Sequence, residues 1–190
     1  MITDPYLDPE SRILRNLLGI TDAEALRQVE ADLSRAALAE LGVLPLRGRY
    51  DLAHLCAFHR EIFGDIYPWA GQIRTVVIAK TEPFCLPQHI DDYATEVFDG
   101  LAKQRYLRGR TRADFIVGLT HFFAEVNALH PFREGNGRTQ RAFFGQLARE
   151  AGWPIDWPRL DATENTFASM SSLRGDNTAL HSLFEKLCAN

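Results

Sequence analysis

The sequence predicts an all-α fold, a helical bundle interrupted by one short β-hairpin flap. Three observations carry this expectation. Apolar residues recur at helical spacing through most of the chain; a single β-branched run, Thr75-Val76-Val77-Ile78, breaks that spacing; and no repeat, low-complexity tract or Gly/Ser linker divides the 190 residues, which therefore read as one domain over 1–190. Composition agrees, since 46% hydrophobic and 24% charged residues supply a core and exclude intrinsic disorder.

The elements follow in order. Thr21-x-x-Glu24 has the form of a capping box, and Leu26, Val29, Leu33, Ala36, Ala37 and Leu41 lie on one helical stripe that Gly42 closes. This forms an N-terminal helical region, 1–48, ahead of a core over 49–190. Asp51 precedes Leu52, Leu55, Phe58, Ile62 and Ile66, a second helix broken by Tyr67-Pro68-Trp69-Ala70-Gly71. The β-branched run comes next, bounded by Pro83 and Pro87, and gives the expected flap over about 73–86. Ile90, Tyr93, Val97 and Leu101 mark a third helix. Phe115, Leu119, Phe122 and Val126 mark a fourth, which must stop before His130-Pro131 because the residue ahead of proline avoids the helical region. A fifth is expected over Gly137–Ala151, ended by Gly152, with two shorter helices around Phe167–Leu173 and Leu180–Leu187.

Charge and cysteine usage narrow the function classes. Lys plus Arg number 21 against 25 Asp plus Glu, a net charge of −4, so no global positive field attracts nucleic acid or anionic lipid. The basic run Lys103, Arg105, Arg108, Arg110, Arg112 reads as a solvated face. Cys56, Cys85 and Cys188 are scattered and form neither a disulfide framework nor a CxxC motif, which fits a reducing compartment. The first residues have no basic stretch followed by an apolar one, and no apolar run approaches the roughly 18 residues of a membrane span, so a cytoplasmic protein is expected. His54 and His59 are five apart, off one helical face, and Glu61 does not complete HExxH; no zinc site is inferred.

The chemistry concentrates in His130-Pro131-Phe132-Arg133-Glu134-Gly135-Asn136-Gly137-Arg138-Thr139-Gln140-Arg141. Between two periodic helices, Gly135-Asn136-Gly137 lets the backbone turn through positive φ and present successive N–H groups at a helix N-terminus, an anion site by geometry and dipole. Arg138 and Arg141, three apart, share a helical face and can reach neighbouring phosphates. Glu134 adds a carboxylate suited to a Mg²⁺ that bridges phosphates. His130 can take a proton from a nucleophile near neutral pH. Base, metal ligand, nest and two arginines together describe a phosphoryl- or nucleotidyl-transfer site. It is neither a Walker A loop nor a dinucleotide fingerprint, because GxxxxGK[ST] is absent and no strand precedes it.

This stretch matches in full the motif HxFx[DE]GNGRxxR, and the chain thereby resembles the Fic family. The likeness extends through Tyr6-Leu7-Asp8-Pro9, Tyr67-Pro68-Trp69-Ala70-Gly71-Gln72-Ile73-Arg74, the flap to Phe84, and Gly175-Asp176-Asn177-Thr178-Ala179-Leu180. The type it resembles is the stand-alone toxin of bacterial Fic toxin–antitoxin pairs. The resemblance implies a Fic-type helical bundle and transfer of AMP from ATP to a Tyr, Thr or Ser hydroxyl of a target protein, with diphosphate leaving. By the same resemblance His130 is the general base and Glu134 binds Mg²⁺. Gly135, Asn136, Gly137 and Arg138 contact phosphates, Arg141 holds the γ-phosphate, and Lys80 and Thr81 touch the nucleotide. Thr75, Val76, Val77 and Ile78 dock the target by strand addition. Phe132 plugs the loop into the core. The flap follows R-x-V-x-[IL]-x-K-G-x-x-x-F except for Thr81 in place of glycine.

The family resemblance also implies a regulator. Relatives are silenced by a helix carrying [ST]xxxE[GN], whose glutamate pairs with the second motif arginine. Here Ser172…Asp176-Asn177 and Thr95…Asp99-Gly100 have that spacing but carry the shorter aspartate. The inhibitory helix is therefore expected on a separate small antitoxin that contacts Arg141, with type II topoisomerase ATPase subunits as the expected targets. Two alternatives remain open: a Doc-like protein kinase, disfavoured because Doc-type motifs carry Lys where this chain has Gly137, and an inactive Fic-fold binding module.

Overall fold

The computed structural model describes residues 4–80 and 82–188, and these form seven α-helices: α1 Ala23–Val43, α2 Leu52–Phe63, α3 Ile90–Lys103, α4 Arg112–Leu129, α5 Asn136–Ala151, α6 Ala162–Leu173 and α7 Thr178–Leu187. The all-α expectation is met. Starts are fixed by side-chain caps that take up otherwise orphaned N–H groups. Asp22 accepts from Ala25 N–H, Asp51 from His54 N–H, Thr111 from Asp114 N–H, and Asp161 from Thr163 and Glu164 N–H. The cap of α1 is thus Asp22 rather than Thr21, and Gly42 lies inside the last turn instead of ending the helix. α2 stops at Phe63, a turn earlier than its apolar spacing suggests. Ile66 and Tyr67 remain buried, packed from the turn rather than from the helix.

α4 is the centre of the bundle. Phe115, Ile116, Leu119, Phe122, Phe123, Val126 and Leu129 are all buried, as is Gly118, because α3, α5, α6 and α7 pack around it. A helix with so much of its surface buried belongs in the middle of a core. Ahead of it, Arg105, Tyr106 and Leu107 make a left-handed turn with φ of 56°, 55° and 61°. The strain is held by Leu107, fully buried against the bare backbone of Gly118, where an added Cβ would sit 2.6 Å from the leucine Cδ2. The basic run that follows is partly engaged inside the chain. Arg108 pairs with Glu150, Arg110 donates to Gln104, and Arg112 donates to the carbonyls of Glu185 and Cys188.

The expected β-hairpin over 73–86 is not formed. Among the described residues this segment contains one isolated antiparallel bridge, Ala79 to Pro83, with Phe84 N–H donating to Ile78 O at 3.2 Å. The physical reason lies in competing partners. The Arg74 side chain takes the carbonyls of Val76 and Cys85, Arg74 N–H donates to Pro131 O at 2.9 Å, and Thr75 N–H donates to the Tyr6 hydroxyl at 3.0 Å. A two-stranded ribbon without a third strand is marginal in any case.

Candidate active site

α4 and α5 position the site by the way they meet. α4 ends at His130, whose φ of 44° and ψ of 59° put a non-glycine residue in the left-handed region. Five residues later Gly135, at φ 81°, opens α5. Glycine is required here twice over, since the conformation disfavours a side chain and a Cβ would lie 2.3 Å from the Phe63 ring. The intervening loop is pinned from within. The Asn136 side chain accepts from Phe132 N–H at 2.9 Å and donates to Phe132 O at 2.7 Å, while Thr139 Oγ1 donates to Gly135 O at 3.0 Å. Phe132 is fully buried, as the sequence implied, and stacks on His59 with centroids 3.9 Å apart.

Unlike α1, α2, α4 and α6, α5 has no side-chain N-cap. Its first residues, Asn136 and Gly137, line a cleft of about 190 Å³ together with His130, Glu134, Gly135, Lys80 and Arg141. Most of the expected site residues therefore converge. Of those on the flap, Lys80 lines the cleft; Thr81 lies outside the described residues. Thr75, Val76, Val77 and Ile78 run along the flap segment, with Val77 60% exposed. Arg138 goes elsewhere: its guanidinium donates to Glu30 at 2.5 Å and Ser34 at 3.1 Å on α1, lies over the Phe63 ring, and comes 3.7 Å from Glu134.

His130 keeps one ring nitrogen free of a proton. Its Nδ1 is 3.2 Å from Asn127 O, a contact that requires a proton on Nδ1 and leaves Nε2 with its lone pair. One ring face is covered by Phe84, centroids 3.7 Å apart and planes 16° apart. Burial pushes the imidazole down to about 3; the Asn127 carbonyl opposes this, and Lys80 and Arg74 add to it. The ring is neutral at physiological pH. Arg141 makes no salt bridge among the described residues, and burial together with the Arg138 charge pushes its guanidinium below the usual value. A partly buried cation without a carboxylate, beside uncapped amides, calls for an anion.

Glu134 sits at the rim, 45% exposed in its side chain, with one oxygen accepting from Gly135 N–H at 2.9 Å. No group of three or more His, Cys, Asp or Glu side chains is placed to hold a metal among the described residues. One carboxylate beside a phosphate-sized nest still fits Mg²⁺, which takes one or two protein oxygens and completes its shell with phosphates and water.

Sequence reasoning missed several residues that shape this site. His59 Nε2 donates to Glu134 O at 3.0 Å while its Nδ1 accepts from Gly71 N–H at 2.8 Å, and burial pushes its pKa to about 4. Asn127, Glu30, and Asn165, Thr166 and Ser169 of α6 also touch the cleft or its arginines. Each lies outside the motif, some of them far along the chain, so no local spacing marks them.

Comparison with known proteins agrees with this geometry. The profile of the Fic/DOC family matches residues 49–148. The chain is 42% identical over 184 residues to the protein adenylyltransferase VbhT of Bartonella schoenbuchensis, a match covering 96% of this chain but 38% of that longer protein. It is 40% identical to a Salmonella typhimurium protein named probable protein adenylyltransferase Fic, covering 96% of this chain and 91% of the other. Among solved structures, the ADP-bound N-terminal Fic domain of a VirB-translocated Bep effector from Bartonella quintana superposes with a TM-score of 0.90 at 25% identity. That match covers 97% of this chain and 94% of that one. Motif, fold and relatives agree, and the chain belongs to the Fic/DOC family.

Proposed function

We propose that this chain is a protein adenylyltransferase that moves AMP from ATP to a Tyr, Thr or Ser hydroxyl of a target protein. The observation that carries the reading is the placement of a neutral His130, with Nε2 available, in the same cleft as the uncapped start of α5 and the carboxylate-free Arg141. His130 Nε2 accepts the proton of the target hydroxyl. The oxygen attacks the α-phosphorus, the bond from that phosphorus to the bridging oxygen breaks, and diphosphate leaves. The amides of Gly135, Asn136 and Gly137 receive the phosphates, and Arg141 stabilises the negative charge that diphosphate carries away. Glu134 would hold Mg²⁺, which supplies charge neutralisation across the phosphates when bound. The flap, short of ladder partners, offers Thr75, Val76, Val77 and Ile78 to an extended segment of the target, with Lys80 reaching toward the nucleotide.

The same reading includes a toxin-like cytoplasmic enzyme held in check by a separate small antitoxin. Beside the cleft an apolar groove runs between α1 and α5, lined by Leu38, Leu41, Ala142 and Trp157 and edged by Arg35, Arg138, Arg141 and Arg149. Arg141 belongs to both cavities. A helix carrying [ST]xxxE[GN] suits this groove, its apolar face on the leucines and its glutamate on Arg141. Neither aspartate of the two near-matches lines the cleft or the groove: Asp176 caps Thr178 N–H in the turn before α7, and Asp99 sits on α3 beside Thr95 and Cys56. Among the described residues no helix is long and apolar enough to cross a membrane.

The test uses α-labelled and γ-labelled ATP in separate reactions with a bacterial lysate, alongside purified topoisomerase ATPase subunits as first targets. Label from the α-position entering protein is the expected result. Label from the γ-position alone would establish the Doc-like kinase instead. No label with either nucleotide, from a chain that binds ATP, would establish the binding-module alternative.

A further inference from the structure

Arg74 is 1% exposed, and no carboxylate pairs with it among the described residues. A buried cation without an anion is costly unless it is well hydrogen-bonded. Here each of its three nitrogens donates to a carbonyl. Nε donates to the His130 carbonyl at 2.8 Å, Nη1 to Val76 O at 2.7 Å, and Nη2 to Cys85 O. One planar fork thus joins the end of α4, the outgoing arm of the flap and its returning arm. The returning arm is tied again by Cys85 N–H, which donates to Ala128 O at 3.0 Å, and it carries Phe84, whose ring covers that of His130.

His130 needs such support. Its left-handed backbone is strained for a non-glycine residue and persists only where its surroundings over-determine it. We propose that Arg74 is the positioning residue of the catalytic base, holding the His130 carbonyl in the left-handed turn and joining both flap arms to it. A target settling on the flap is then registered against Nε2 rather than against a separate, loosely attached loop. Lysine cannot take this place, because an ammonium on a flexible stem does not span three carbonyls in a plane. The inference rests on the reading of His130 as the base, and its main test needs no transfer activity.

Long-range proton–nitrogen spectra of ¹⁵N-histidine-labelled protein report the tautomer of His130 in the wild type, Arg74→Lys and Arg74→Gln. The wild type is expected to show one neutral form with its proton on Nδ1. The variants are expected to show mixed or broadened tautomers, with transfer of α-label into lysate protein down about 100-fold, as a displacement near 1 Å produces. Their ATP affinity should stay within about threefold, since the amides of α5 are untouched. A folded variant with wild-type His130 signals overturns the proposal, and so does parallel loss of ATP affinity and rate with those signals unchanged. If neither variant folds, the wild-type Arg74 Nε–H decides: slow solvent exchange supports the strut, and exchange as fast as that of exposed arginines overturns it. If the wild type transfers no label to any lysate, the functional reading fails while the tautomer comparison still decides the role of Arg74.

Discussion

Residues 130–141 and residues 73–86, which reach the same cleft through Lys80, are built in opposite ways. The motif loop satisfies itself: Asn136 uses both ends of its amide on Phe132, Thr139 closes on Gly135, and His59 ties Glu134 to the turn after α2. Among its described residues the flap has one bridge, an exposed Val77, and firm bonds at its base, through Arg74, Thr75 and Cys85. The difference fits the roles proposed for the two parts. A site that stabilises developing charge must be fixed before substrate arrives, since reorganisation during the reaction costs rate. A surface that receives an extended segment must keep its backbone groups uncommitted.

The comparison can be broken first at the base. His130→Ala is expected to lower AMP transfer about 10²–10⁴-fold, the range for a positioned acid–base group, while leaving ATP affinity within about threefold; a tenfold loss of affinity by calorimetry would show that the ring binds nucleotide instead. The pH dependence sharpens the same point. An ordinary histidine would lose base activity as pH falls through about 6.5, whereas a ring pushed down to about 3 by burial stays unprotonated well below that. The profile of kcat/KM for ATP, which reports the free enzyme, should therefore show no acid limb near 6.5.

A smaller effect is expected inside the motif loop. Asn136→Ala leaves the buried Phe132 N–H and carbonyl without partners, which costs about 1–3 kcal/mol for each unsatisfied group, so denaturant unfolding should show a clear loss of stability along with weaker ATP binding. Unchanged stability would mean that the loop holds its shape without this clamp. The smallest change in stability is expected on the flap. Val77→Pro removes an N–H that makes no hydrogen bond within the described chain, and at this exposed position it should change stability less than Asn136→Ala does. It should nevertheless lower transfer to a protein target about tenfold while ATP affinity is unchanged. Normal transfer by this variant would remove the flap backbone from target docking.

Much of this was legible along the chain because it depends on neighbours in sequence. The helices follow from apolar spacing and from caps such as Asp51 and Thr111, and the turn at Gly135 from a glycine between two periodic segments. The motif identified His130, Glu134 and Arg141 as partners because one loop and one helical turn bring them together. Even there local signals compete, so Asp22 rather than Thr21 became the cap of α1.

The sequence by itself determined the helical class, the position of the catalytic loop and the type of its chemistry, because short-range periodicity and loop geometry dictate them. Only the tertiary structure decided where the long side chains spend their donors. Arg138 turned to Glu30, 108 residues away, and His59 reached Glu134 across 75. Arg74 drew its carbonyls from both flap arms and from His130, leaving a single bridge among the flap's described residues where β-branched residues alone suggested a hairpin. β-propensity expresses itself only when a ladder partner is available, and a guanidinium chooses among acceptors that packing assembles from distant parts of the chain.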